Sequence, residues 1–280
     1  MKNYSLGAPQ DVEQEPEGGE SDPPVKSVDR AARLLKAIAA HPYGGATLGD
    51  LARETGLGKA TTHRLLAALV DVGFLFQDVG NRRYRLGSTF TALGRNALTQ
   101  EIASASQPVL ERIAAETGDT VYVSAPEGSA AICLGRAVGA FPIRTLTLSV
   151  GDRRPLGIGG GSLALLAAMP DAHIAKVIER NKEWNAQFLG YSTQALLDLV
   201  ARTRREGYAY NEGLIVSGMG SVGVAVLNAE GAPVASLSVA AITDRISGTR
   251  ICMLADLLRR ESAALSVQLA QDLSPAKPAT

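Results

Sequence analysis

Lys59, His63 and Arg64 fall on one side of a helical period in the stretch GLGKATTHRLLAALVDVGF (56–74). At about 100° per residue, Thr62, Leu65, Leu69 and Val72 share one face, with Leu66 and Ala68 beside it. Lys59, Ala60, His63, Arg64 and Ala67 lie opposite. Long donors near the start of a helix, with small residues beyond them, suit entry into the major groove of DNA. The donors reach base edges and phosphates, and the alanines leave room for approach. Downstream, FLFQDVGNRRYRLG (74–87) alternates like two paired strands around DVGN, where Gly80 and Asn81 suit positive φ. Arg82, Arg83 and Arg85 stand at or just after its tip. A basic hairpin beside such a helix is a wing, whose arginines enter the minor groove or grip phosphate while Leu75, Tyr84 and Leu86 close a small core. Contacts to DNA are therefore expected from Thr47, Lys59, Ala60, Thr61, His63, Arg64, Arg82 and Arg83. Ordinary exposed charge is the competing reading of each cation taken singly.

A second chemical feature is PLGIGGGSLALLA (155–167), a Gly-rich loop opening a helix. Free N–H groups and the helix dipole there favour an anion. It is not a dinucleotide fingerprint, because VGDRRP intervenes before it and no β-α-β continuation follows. Tight helix–sheet packing is the alternative use of these glycines. GMGSVG (218–223) leads into the strand-like VAVLN, so the phosphate mechanism fails there too. Met219 occupies the first glycine's place in a nucleophile elbow, so Ser221 is not read as a hydrolase nucleophile. Arg136, Arg144, Arg153 and Arg154 cluster in sequence. Any of them could clamp a ligand carboxylate, or simply form a surface salt bridge. Cys133 and Cys252, with His41, His63 and His173, lie outside any metal-ligand spacing. No ordered Ser/His/Asp set and no paired carboxylates appear. Neither an enzyme nor a bound cofactor is expected.

These residues must be held by elements that the rest of the chain supplies. The length of 280 residues suggests about two domains. The net charge is zero, but residues 1–24 carry one Lys against six acids, and residues 25–95 carry eleven basic residues against five acidic. The first piece reads as a disordered acidic tail. The second is a basic domain at 25–87, the footprint of a polyanion partner. Its first helix is expected at 27–41 with Ser27 as N-cap. Thr47 caps the next helix, Asp50 stands at its third position and Gly56 ends it. A linker helix at 88–104 leads to a domain at 105–273, with the helical pattern broken near Pro108. Strands are expected at 120–125, 130–138, 143–150, 208–211, 220–228 and 233–242. Helices are expected at 161–169, 172–181, 193–207 and 247–273, followed by a frayed end at 274–280. An antiparallel sheet with helices alongside makes this an α+β domain. The stretch 155–170 is too short and Gly-rich to span a bilayer, and no secretory signal is visible, so a cytoplasmic protein with no membrane association is expected.

SVDRAARLLKAI … TLGDLARETGLGKATTHRLLAALVDVGFLFQD … RRYRLG closely resembles the DNA-binding domain of IclR-type bacterial transcriptional regulators, over 26–88. Residues 105–272 are similar to the family's effector-binding domain, a GAF-like sensor fold. The resemblance implies an N-terminal winged helix-turn-helix and a C-terminal α+β effector domain with an antiparallel sheet. It implies a small organic effector, a carboxylate or aromatic compound, near Gly160 and Gly161. It also implies pocket roles for Asn211, Ser221 and Ser238. Asn211 falls where many members have Asp, which removes a negative neighbour and eases anion binding. GIGGGSLA stands where members often have a HATA.GKA pattern, which bears on ligand identity. A winged helix reads few base pairs, so a homodimer or dimer of dimers on a palindromic double-stranded operator is expected. An enzyme or nucleotide-binding protein with an appended helix-turn-helix is the alternative.

Overall fold

The structure, a computed structural model, describes residues 25–272. The ends expected as tails, 1–24 and 274–280, lie outside the described residues. The chain divides into two compact units between Ala92 and Leu93.

The first unit is a helix-turn-helix followed by a hairpin. Helices α1 (Lys26–Ala39), α2 (Leu48–Thr55) and α3 (Lys59–Asp71) precede an antiparallel pair, β1 (Leu75–Gln77) and β2 (Tyr84–Leu86). Leu34 and Ile38, Leu51, Leu66 and Leu69, and Leu75 and Tyr84 bring one stripe from each element into a single core. The α2 start is set by a capping box. The Thr47 hydroxyl accepts the Asp50 amide at 3.2 Å, and the Asp50 carboxylate accepts the Thr47 amide at 3.3 Å. Gly56, at φ +67°, ends the helix in the left-handed conformation. Ala46 and Tyr84 exchange backbone hydrogen bonds, tying the loop before α2 to the hairpin.

Three local expectations change. Ser27 lies inside α1, whose N-cap is Val25 with no side-chain bond. The buried stripe of α3 is Thr62, Leu66 and Leu69, and Val72 is exposed because the helix ends one residue before it. In the hairpin turn the Asp78 carboxylate accepts the Gly80 and Asn81 amides at 2.9 and 3.1 Å. Positive φ falls instead on Arg82, at +57°.

The second unit is an α+β domain. Helix α4 (Ser88–Thr117) begins in the first unit and continues into the second. A six-stranded sheet follows, built from β3 (Thr120–Glu127), β4 (Ala130–Val138), β5 (Arg153–Pro155), β6 (Ala209–Asn211), β7 (Met219–Leu227) and β8 (Pro233–Ile242). The order is β5-β4-β3-β8-β7-β6, with every neighbouring pair antiparallel. Between β5 and β6 come α5 (Gly160–Ala167), α6 (Asp171–Arg180), the single turn α7 (Lys182–Asn185) and α8 (Thr193–Glu206). Helix α9 (Thr249–Asp272) closes the described chain.

Side chains alternate along the strands, and each face has its own task. Val121, Val123, Val222, Val224, Leu237 and Val239 join α4 and α9 in one core. Tyr122, Ser124, Ser221, Ser236 and Ser238 occupy the alternate positions, on the side where α5 packs against β7 and β8. Helices α5, α6 and α8 share a second core. Asp119, buried at the start of β3, accepts from Arg245 and Arg250 at 2.7 Å each. Both arginines also donate to the Thr117 carbonyl, and Arg245 lies 3.9 Å over the Phe141 ring.

Two expectations fail here. The helix does not break near Pro108; α4 runs through it unbroken. The ring removes one N–H donor, but Ala105, Val109, Leu110 and Ile113 on either side are packed into the core. No strand forms at 143–150. The position beside β4 is taken by β5, which pairs Ala130–Ile132. The segment 143–150 forms no ladder, and side chains hold the carbonyls of Thr145, Thr147 and Leu148 instead.

Candidate functional site

The outer face of α3 is open. Lys59, Ala60, His63, Arg64, Ala67 and Ala68 are all exposed, and Thr61 is half-buried. The first helical residue follows Gly58, so Lys59 and Ala60 stand at the N-terminal end, where a recognition helix meets base edges. Arg82 is exposed at the hairpin tip. Two other expected contacts carry internal bonds. Arg83 is half-buried and donates to the Gly45 carbonyl at 2.9 Å. The Thr47 hydroxyl donates to Asp50 at 2.7 Å as well as accepting its amide. These bonds hold Asp50 below the usual carboxylate range, the Thr47 side chain being the main cause.

In the second unit a cleft lies over the sheet at the start of α5. All five residues expected at the effector, Gly160, Gly161, Asn211, Ser221 and Ser238, line it. Small residues make this possible. A Cβ on Gly160 would stand 2.9 Å from the Ser221 hydroxyl, and one on Gly161 would stand 3.0 Å from those of Ser236 and Ser238. Gly223, on the adjoining strand, would place a Cβ 2.5 Å from the Gly160 backbone. Helix and sheet meet here nearly backbone to backbone.

The polar groups are poised in an ordered way. The Gly160 amide donates to Ser221 Oγ at 3.0 Å. The Gly161 and Ser162 amides, next in the first turn, have no acceptor among the described residues. The Asn211 side-chain oxygen accepts from the Tyr191 hydroxyl at 3.1 Å and from the Leu214 amide at 3.2 Å. That fixes the amide's orientation and leaves its nitrogen as a donor. Burial pushes the Tyr191 hydroxyl up to about 12, so it stays a neutral donor. Cys133 lines the cleft with Tyr122 and Leu148. Burial pushes its thiol up, so it is a neutral group rather than a thiolate.

The segment 143–150 borders the same cleft through Thr145, Thr147 and Leu148. Tyr122 donates to the Thr145 carbonyl, Arg154 to that of Thr147 and Arg136 to that of Leu148. The four clustered arginines thus part ways. Arg153 pairs with exposed Glu127, Arg144 is exposed, Arg136 serves the segment, and Arg154 lines the cleft. Tyr122, Thr145 and Tyr191 belong to the site and were not singled out from sequence. They come from three distant stretches, and only the sheet register and the path of 143–150 unite them. Among the described residues no group of three or more His, Cys, Asp or Glu is placed to hold a metal ion, and no helix is long and apolar enough to cross a membrane.

A helix-turn-helix with an open basic face, in one chain with an α+β unit that holds a cleft, defines a two-unit DNA-binding regulator. Residues 27–79 match the IclR helix-turn-helix domain, and residues 95–267 match the C-terminal domain of the bacterial transcriptional regulator IclR. The chain belongs to the IclR family of bacterial transcriptional regulators. It is 26% identical over 247 residues to the HTH-type transcriptional regulator KipR of Bacillus subtilis, covering 86% of this chain and 95% of that one. It is 26% identical over 239 residues to the transcriptional repressor IclR of Escherichia coli, covering 81% and 84%. Among solved structures, an IclR-family regulator from a Rhodococcus species matches with a TM-score of 0.67 at 23% identity, over 91% of this chain and 98% of that one. These relatives are named as regulators or repressors, not enzymes.

Proposed function

We propose that this regulator binds a palindromic operator as a homodimer or dimer of dimers, and that a small organic carboxylate or aromatic effector in the cleft alters that binding. Lys59, Thr61, His63 and Arg64 read the major groove, with Ala60 packed against the DNA. Arg82 grips the backbone or minor groove at the hairpin tip. Thr47 and Arg83 act from the edge of this face, through the α2 start and the hairpin that they brace. In the second unit the effector sits at the N-terminus of α5. Its oxygens take the open amides there and the hydroxyls of Ser221 and Ser238, and Asn211 donates from the side. An effector that binds the DNA-competent and incompetent states unequally shifts their populations.

The observation that carries this reading is the convergence of Gly160, Gly161, Asn211, Ser221 and Ser238 on one cleft where two helix-start amides lack acceptors. The test is selection of duplexes from a random DNA pool by the purified protein, followed by a search for compounds that change binding to the recovered sequence. A short palindrome, and a compound whose effect disappears when the cleft is blocked, is the expected result. Binding without sequence preference that vanishes at physiological salt would overturn it.

A further inference from the structure

We propose that Arg154 selects an anionic effector, by supplying the single full positive charge in the cleft; this rests on the reading of the cleft as the effector site. Seven other arginines of this unit are committed to carboxylates, and Arg136, which is not, donates to the Leu148 carbonyl and does not line the cleft. Arg112 pairs with Glu261, Arg153 with Glu127, Arg202 with Glu206 and Glu212, and Arg204 with Asp171. Arg245 and Arg250 share Asp119, and Arg259 pairs with Asp256. Arg154 is half-buried, lines the cleft and has no carboxylate partner among the described residues. One of its five N–H donors goes to the Thr147 carbonyl.

The residues lining the cleft include no Asp and no Glu. The nearest acid in sequence, Asp152, accepts the Ser149 amide at 2.7 Å and points into the turn rather than the cleft. Burial lowers the proton affinity of Arg154 below that of a free arginine, and Tyr122, Tyr191, Asp152 and Cys133 offset this in part. A guanidinium remains charged at such a site, so desolvation leaves a cation that gains from a counter-ion. Its position identifies the partner's charged end. Arg154 Nη1 lies 3.9 Å from where a Cβ on Gly159 would be, next to the open amides of Gly161 and Ser162. Guanidinium and helix start therefore address one small group with two acceptor oxygens, such as a carboxylate. The apolar part of the lining, with Leu148, Cys133 and Ala240, is suited to an uncharged body.

The experiment uses the full-length protein and a panel of two- to six-carbon aliphatic acids and substituted benzoates. Each acid is paired with its own uncharged amide, and binding is read by calorimetry and by shift of the melting temperature. The expected result is binding by one or more acids and at least tenfold weaker binding by the matching amides. Arg154→Met should weaken acid binding by about 100-fold, the scale of a charge-assisted hydrogen bond. Arg154→Lys should retain part of the preference, and Arg153→Met should leave it unchanged. Amides that bind as well as their acids overturn the assignment, as do acids that bind Arg154→Met undiminished. The acid-to-amide ratio in the unaltered protein decides the matter if the Met variant does not fold. Neutral or cationic binders alone would refute the anion assignment while the cleft remains an effector site. Binding by no member of the panel would count against the effector site itself, and the inference would fall with it.

Discussion

Thr47 and Asp50 hold each other twice over: the Thr47 hydroxyl gives its proton to the Asp50 carboxylate at 2.7 Å and receives the Asp50 amide at 3.2 Å. A side chain so engaged stabilises the start of α2 whatever it does toward DNA. Thr47→Ala should cost about 1 kcal/mol of stability, and Thr47→Ser should recover most of it. Urea denaturation of the two variants checks this. An Ala variant as stable as the parent would refute the capping role. Because the Thr47 bonds depress the Asp50 carboxyl, its contribution is present above the usual carboxylate range and is lost as pH falls through the lowered value.

Arg64 and Arg82 should be separable by the kind of loss each causes. If Arg64 reaches a base edge, Arg64→Ala should cost about 1–3 kcal/mol on the operator and relax preference at one position. Arg82→Ala should weaken all sequences alike and reduce the salt dependence by about one counterion. Titration of operator and random duplexes at several salt concentrations distinguishes the two patterns. Identical patterns would refute the division between helix and hairpin tip.

Ser221 accepts the Gly160 amide at 3.0 Å and lines the cleft. Ser221→Phe should leave operator binding intact and abolish the effector response. Equal loss of both in a folded variant would refute the separation of roles. The check is operator binding with and without effector, alongside a melting curve.

Tyr191 is held neutral by burial up to about 12. In the unfolded chain it ionises near the ordinary tyrosine value of about 10. Stability should therefore be whole below pH 10 and decline between pH 10 and 12, as the unfolded state releases a proton the folded state retains. Tyr191→Phe should flatten that part of the curve. Denaturation midpoints at pH 9 and pH 11 measure the difference.

Asp119 is buried between Arg245 and Arg250. Asp119→Ala leaves two partly buried guanidiniums and the Thr117 carbonyl without their common anchor, and should destabilise the unit by about 3 kcal/mol or more. Thermal unfolding of the variant tests this, and a loss under 1 kcal/mol would show that the arginines find other partners.

Much of this architecture was legible because its causes are local. Leu34 and Ile38 in α1, and Thr62 and Leu69 in α3, stand at helical spacing, and Thr47 with Asp50 three residues on marks a helix start. The five expected cleft residues came from family resemblance, since no periodicity distinguishes Ser221 or Ser238 from other strand serines. What stayed hidden was tertiary. The alternation in 143–150 looks like a strand, but β5 already occupies the edge it would join. Pro108 looks like a helix break, but packing on both sides carries the helix through. Four arginines in 136–154 are equivalent in sequence, and it is its place in the cleft lining that separates Arg154 from the rest.

The near contact of Gly160 and Gly161 with Ser221, Ser238 and Gly223 has an evolutionary corollary. A hydrogen bond offered by the main chain survives almost any substitution of the residue that offers it, so drift does not readily erase the anion-binding end of the cleft. Change there comes by obstruction, above all at Gly223, where a methyl group would stand 2.5 Å from the Gly160 backbone; one on Gly160 or Gly161 meets serine hydroxyls that must give way. Variation in what is sensed is thereby pushed outward, to the apolar side chains of the lining and to 143–150. A lineage of such regulators can exchange its chemical vocabulary at the rim while its grammar, written in backbone, stays the same.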